Sequence, residues 1–303
     1  MMTDIILDTD MGGDCDDVGA LALLHVLANR GETRILGVTH DTSLRCGAAA
    51  IDIINRFYGR ETEIGVYKGA DFLSGKNYDK YVTALYEKFG SVYGDRERAA
   101  EAVAFIRKLL TRSDGKVKLL GIGHHNNFAA LLKSEPDENS PLCGAELIKA
   151  KIEEVILMAG LFGESEGWKG AEYNIKQDVA SSRFFIADCP APITFIDFKI
   201  GYKVETFKKL MDCTGDGNPV AMAYRLWTGG AARSSWDPIA VLYAAHGLNG
   251  IFSRVGKGVV TVTEEGITSF THDENGNHSY LLSNLPDEAL AEYIDDLILS
   301  DKI

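Results

Sequence analysis

Ile5-Ile6-Leu7-Asp8-Thr9-Asp10-Met11-Gly12-Gly13-Asp14-Cys15-Asp16-Asp17-Val18-Gly19-Ala20-Leu21 lies at the start of the chain, and its reading decides the fold. Three aliphatic residues in a row, without alternation, predict a short strand buried on both faces, as in a parallel sheet. Gly12 and Gly13 allow a tight loop. From Asp17 to Ala28 the apolar residues continue at helical length. The stretch is therefore strand, loop and helix, and ligands of such sheets bind beyond the carboxyl ends of the strands. Five carboxylates, Asp8, Asp10, Asp14, Asp16 and Asp17, crowd that end within ten residues. No Lys or Arg occurs from Met1 to Asn29, and the nearest cation along the chain is Arg30. Capping of the helix accounts for one or two carboxylates only. Bound cation or raised pKa values make the rest tolerable. Oxygen donors imply a hard ion, Ca²⁺ or Mg²⁺.

Working outward, short apolar runs at 35–39, 64–67, 117–122, 155–159 and 193–196 predict further strands. Helices are predicted at 17–28, 46–57, 98–110, 128–132, 179–186, 204–211 and 239–245. The tail changes character: alternation over 259–280 around Asn275-Gly276-Asn277 predicts a hairpin, and 287–299 a last helix. The segment 133–143 is short enough for a surface loop. The expectation is one domain over residues 1–303, α/β in class. It has a mostly parallel, Rossmann-like sheet, helices on both faces and a small C-terminal hairpin.

With 46% hydrophobic and 25% charged residues, and no apolar run long enough to span a bilayer, the composition is that of a globular protein. A net charge of −13 opposes binding to nucleic acid or to an anionic membrane. Five dispersed cysteines without a Cys-x-x-Cys pair signal neither a disulfide framework nor a zinc site. No basic and apolar leader precedes the first strand, so the expectation is cytoplasmic.

Asp8-Thr9-Asp10-Met11-Gly12 with Asp16-Asp17 closely resembles the Asp-x-Asp-x-Gly-x-Asp-Asp signature of the inosine-uridine nucleoside hydrolase family, with two extra residues before the paired aspartates. The resemblance continues in order through Gly123-His124-His125-Asn126-Asn127-Phe128-Ala129, Met158-Ala159-Gly160, Glu172-Tyr173-Asn174-Ile175 with Asp178, and Trp236-Asp237-Pro238. It implies a Ca²⁺-dependent N-ribohydrolase acting on a small riboside, assembled as a homodimer or homotetramer. It also implies a set of roles. Asp10, Asp17, Asp237 and the carbonyl of Asn126 would hold Ca²⁺, with Asp10 also the general base. Asp16, Asp41, Glu172 and Asn174 would contact the ribose, whose hydroxyls suit carboxylates and amides.

Four positions depart from the family pattern. Asp41 replaces an Asn, His124-His125-Asn126 replaces Pro-Leu-Thr, Asp14 and Cys15 lengthen the acidic loop, and Trp236 replaces a His proposed as leaving-group acid. An indole N–H donates a hydrogen bond but is no acid near neutral pH. Help for the leaving group then falls to stacking on Trp236, to His124 or His125, or to solvent. Tyr173 and Trp168 are further candidates for an aromatic wall, and Asp14 for an additional ligand. A hydrolase of another sugar conjugate, or a ribose-binding protein without turnover, stays open. Two other motifs fail on context. Asp8-Thr9-Asp10 lacks the Lys-bearing phosphate site of an aspartyl phosphotransferase, and Gly163-Glu164-Ser165-Glu166-Gly167 is not followed directly by a helix, as a nucleophile elbow requires.

Overall fold

The first strand is buried from Asp4 to Thr9, as its unbroken apolar character requires. The computed structural model describes residues 2–163 and 168–300. Its strands are β1 (Thr3–Thr9), β2 (Thr33–His40), β3 (Ile64–Val66), β4 (Ala100–Glu101), β5 (Val117–Gly121), β6 (Ile152–Met158), β7 (Ile193–Ile196), β8 (Glu205–Thr206), β9 (Arg233–Ser234), β10 (Phe252–Val262), β11 (Thr268–His272) and β12 (His278–Ser283). Ten form one sheet in the order β11-β10-β12-β7-β6-β5-β1-β2-β3-β4, while β8 and β9 pair separately. From β12 to β4 neighbours run parallel; β10 is antiparallel to both β11 and β12.

From β1 the chain winds outward through β2, β3 and β4, then returns to the other side of β1 for β5, β6 and β7. Strand order thus reverses beside β1, and the crevice at the carboxyl ends of β1 and β5 is the switch point where open sheets bind ligands. One apolar core, with Leu7, Leu24, Ile51 and Leu242, covers one face of the sheet. A second, with Ile6, Leu119, Phe128 and Phe185, covers the other. The helix Asp16–Asn29 is buried from Asp16 to Ala28 because it packs on the helices Trp236–His246 and Asp287–Ser300 as well as on β2. A helix enclosed on every side needs no polar stripe.

Three expectations are corrected. The C-terminal hairpin is present, β10 pairing with β11, but its turn lies at 263–267, and Asn275-Gly276-Asn277 belongs to the crossover that carries the chain past β10 to β12. There β12 joins β7 and extends the main sheet. The helix read at 204–211 begins only at Lys208, because β8 pairs with β9 and Phe207 adopts a left-handed backbone. Its ring stacks on Tyr224 at 4.3 Å and its N–H donates to Asp295 Oδ1 at 2.8 Å, contacts that hold an otherwise costly conformation. The helix read at 98–110 starts at Ala102, where Glu101 caps it by accepting the Ala104 N–H at 2.8 Å. Helices Val82–Phe89, Gly144–Lys151 and Pro219–Thr228 were not legible in the pattern. The segment 134–143 is a loop, as expected.

Close packing at the switch point is demanding at Gly123. A Cβ there would lie 2.3 Å from Asp41 Oδ2 and 2.6 Å from the Asp10 nitrogen. Gly123→Ala is expected to destabilise the protein by about 1–3 kcal/mol through overpacking. Gly115→Ala, where a Cβ meets nothing within 4 Å, should stay within about 1 kcal/mol of wild type. Urea titration of both variants checks this, and equal midpoints would refute it.

Candidate active site

The acidic loop leaves β1 at Asp10 and turns back within four residues. The Gly13 N–H donates to the Asp10 carbonyl at 2.9 Å, and a Cβ on Gly13 would lie 2.3 Å from Asp10 Oδ2, so only glycine permits this approach. Tyr81, fully buried, fixes the loop from outside. Its hydroxyl accepts the Gly12 N–H at 2.8 Å and donates to the Asp14 carbonyl at 2.7 Å. Inside, the Thr9 hydroxyl donates to Asp17 Oδ1 and accepts the Met11 N–H. The missing countercharge comes from β9: Arg233 pairs with Asp14 through both Nε and Nη2. Asp14 is therefore held in an ion pair.

Among the described residues, Asp16, Asp17 and Asp237 converge, each offering an oxygen within 4.8 Å of the others, and all three are buried. Asp16 and Asp17 open the helix Asp16–Asn29, Asp237 lies in the first turn of Trp236–His246, and Asp16 Oδ2 accepts the Asp237 N–H at 3.3 Å. Two helix N-termini thus point their positive ends at the cluster. That offsets only part of the repulsion. Burial first, and neighbouring carboxylates second, raise Asp16, Asp17 and Asp237 well above the ordinary carboxylate range. Burial likewise brings Asp10 up to about 7. Buried, acceptor-only oxygens without a cation among them are the donor set of a hard divalent ion, so the residues fit one. Asp16, read from the resemblance as a sugar contact, stands in this triangle; Asp10, read as a ligand, stands outside it and lines the same cavity.

That cavity, about 380 Å³, has a lining of two chemical kinds. Among its polar residues, Glu172 caps the helix Tyr173–Gln177, accepting the N–H groups of Asn174 at 2.9 Å and Ile175 at 3.2 Å. Asn174 gives its amide protons to the carbonyls of Ile122 and Met158 at 3.1 Å, which leaves its oxygen as an acceptor. Tyr78, Tyr173, Phe198, Trp227 and Trp236 supply aromatic surface, and Asn77 and Arg233 also line the cavity. Acidic and polar groups together with flat apolar ones suit a sugar carrying a heterocycle.

Several expected residues lie elsewhere. Asn126 opens the helix Asn126–Lys133, where its carbonyl belongs to the helix ladder, and its side chain donates to the Asp41 carbonyl at 2.7 Å; it does not line the cavity, whereas Ile122 at the end of β5 does. Asp41 is buried beneath the cavity, its Oδ2 accepting the His124 N–H at 2.5 Å, so it is a support rather than a sugar contact. His124 sits under Asp10, with Nδ1 3.2 Å from Asp41 Oδ1 and Nε2 3.9 Å from Asp10 Oδ2. His125 turns away to the Ser182 hydroxyl at 2.8 Å, and burial pushes its pKa down to about 3. Trp236 lines the cavity, but its ring stacks on Phe198 at 5.3 Å with Arg233 over it at 5.1 Å, and its N–H donates to the Phe198 carbonyl at 2.7 Å. Trp168 packs on Phe198 and Tyr202 outside the lining residues. Ser165 of the Gly-x-Ser-x-Gly motif lies outside the described residues. Tyr81, Trp227 and Arg233 carried no sequence signal, since tertiary contact alone brings them to the site; the Asp14–Arg233 pair spans 219 positions.

Fold and site define an α/β protein with an open, mostly parallel sheet and an acidic cavity at its switch point. The chain belongs to the inosine-uridine preferring nucleoside hydrolase family, whose model matches residues 5–286. The pyrimidine-specific ribonucleoside hydrolase RihB of Escherichia coli strain SE11 is 32% identical over 194 residues, 59% of this chain and 54% of that protein. Its counterpart in Escherichia coli O17:K52:H18 is 33% identical over 97 residues, 31% of this chain and 28% of that one. The chain thus spans about half, or less, of the length of these curated relatives. The fold is shared with the inosine-uridine preferring nucleoside hydrolase of Bacillus anthracis, at 18% identity and a TM-score of 0.71 with 98% of this chain and 99% of that one covered. It is also shared with the purine-preferring ribonucleoside hydrolase of Gardnerella vaginalis, at 22% identity and a TM-score of 0.68 with 98% of each covered.

The raised carboxylates have a consequence for stability. Burial lowers His25, His40, His125 and His278, so these rings add stability as pH rises to about 6.5; above that they are neutral in both states, the raised carboxylates leave the folded chain with more bound protons than the unfolded one, and ion-free stability falls as pH rises. In the presence of a chelator, the melting temperature is expected to drop from about pH 6.5 to about pH 8, and added Ca²⁺ to restore it at the upper end. Thermal melts across this range check both parts. A chelated protein that gains stability with pH, or one indifferent to divalent cations, would remove the cluster as a cation site.

Proposed function

We propose that the protein hydrolyses the N-glycosidic bond of a ribonucleoside, releasing ribose and the free base, with Ca²⁺ as cofactor. The observation that carries this reading is a single cavity lined at once by the buried Asp10, by the converging Asp16, Asp17 and Asp237, and by Glu172 and Asn174. Asp16, Asp17 and Asp237 would hold the ion. A hard divalent cation there supplies positive charge that orients a water molecule and makes it more acidic.

The chain's own residues do the rest. Asp10 takes the proton of the attacking water, and a carboxyl held at about 7 by burial is suited to that role near neutral pH. His124 Nε2 lies 3.9 Å from its Oδ2, and the missing Cβ of Gly13 leaves room for the carboxylate. Glu172 is immobilised by its backbone N–H partners, so it meets the ribose hydroxyls in one orientation, and Asn174 is locked by two strand-end carbonyls. As the C1′–N bond breaks, positive charge develops at the sugar ring, and the surrounding carboxylates favour it.

Asp10→Asn is expected to lower kcat at least about 10²-fold while substrate still binds, because the amide cannot take a proton and the sugar contacts persist. Release of reducing sugar from a panel of ribonucleosides, together with calorimetric binding of the same compounds to the variant, checks this. Near wild-type turnover would remove Asp10 as base. Binding without turnover by the wild-type protein would favour a ribose-binding role.

A further inference from the structure

Resting on the hydrolase reading, the question left by the site is how the departing base is stabilised. The indole at 236 is no acid, and its N–H is already given to the Phe198 carbonyl. His124 is directed at Asp41 and Asp10, and His125 at Ser182; neither lines the cavity. Among the described lining residues, one side chain carries a permanent positive charge, Arg233, whose guanidinium lies over the Trp236 ring. We propose that Arg233, oriented by Asp14, is the group that stabilises the leaving base.

Three observations combine. The two-nitrogen grip of Asp14 fixes the guanidinium plane, and Asp14 is itself fixed by the Cys15 N–H at 2.6 Å. Of the five N–H bonds of an arginine, the two on Asp14 are committed and the rest meet no acceptor among the described residues. Finally, the guanidinium lies over the Trp236 ring at 5.1 Å, and both residues line the cavity. A rigid fork aimed at a cavity is suited to carbonyl oxygens that gain charge during bond breaking.

A guanidinium does not give up its proton at neutral pH, so it assists by charge and hydrogen bonding alone. Water oxygen bonds to C1′, its proton passes to Asp10, and the C1′–N electron pair stays on the ring nitrogen. The base leaves as an anion, its charge spread onto the carbonyl oxygens held by Arg233, and takes a proton from solvent after release. Asp10 then returns its own proton to solvent. Uracil-type bases tolerate this route because flanking carbonyls delocalise the charge. Adenine, which needs ring protonation to depart, does not.

The test compares wild type, Arg233→Met and Arg233→Lys on uridine, adenosine and 4-nitrophenyl riboside, with Ca²⁺ binding followed by calorimetry. Wild type is expected to prefer uridine to adenosine. Arg233→Met is expected to lose about 10²-fold in kcat/KM on uridine and at least tenfold less on the nitrophenyl riboside, whose leaving group needs little help. Arg233→Lys, which keeps the charge without the fork, should fall between them and also bind Ca²⁺ if the methionine variant does not fold. Equal losses on both substrates, or a wild-type preference for adenosine, would overturn the assignment of Arg233 while leaving riboside hydrolysis standing. Absence of base release from every riboside by wild type would overturn the hydrolase reading and this assignment with it.

Discussion

Mutual repulsion among buried carboxylates is the constraint around which this molecule is organised. Asp10, Asp16, Asp17 and Asp237 are brought together by a strand end and two helix starts, in surroundings that exclude water. Such a cluster persists only with compensation, and each form of compensation has a structural counterpart here. Helix N-termini supply partial positive charge, Thr9 and backbone N–H groups supply hydrogen bonds, and Arg233 neutralises Asp14. The remaining negative charge is what fits the site to a divalent cation and to a sugar ring that becomes positive during bond cleavage.

The same constraint explains residues that do no chemistry themselves. Tyr81 holds the acidic loop through two backbone groups, Gly13 and Gly123 let it approach without a Cβ, and Asn126 and Asn127 satisfy strand-end oxygens behind it. The run His124 to Asn127 is thus scaffolding beneath the cavity rather than part of its wall. Its amides and imidazoles point at Asp8, Asp41 and Ser182 because that crevice contains the acceptors that need partners. A motif shared with a family can therefore mark a location correctly while individual side chains in it serve different ends.

The amino-acid sequence by itself determined the parallel sheet, the first strand and buried helix, and the position of the acidic loop between them. These depend on local periodicity and on the order of strand, glycine turn and helix, which a chain carries in adjacent residues. Its resemblance to the family pointed to Asp10, Asp17, Glu172, Asn174 and Asp237, all of which line the cavity. Only the tertiary structure decided which carboxylates converge, that Asp16 rather than Asp10 completes the closest triangle, and that Asn126 yields its place to Ile122. It also decided that Trp236 is sandwiched between Phe198 and Arg233 and that Arg233 reaches Asp14. The physical reason is range: charge pairing and ring packing act over a few ångströms of space, and partners 219 positions apart leave no trace in any local pattern.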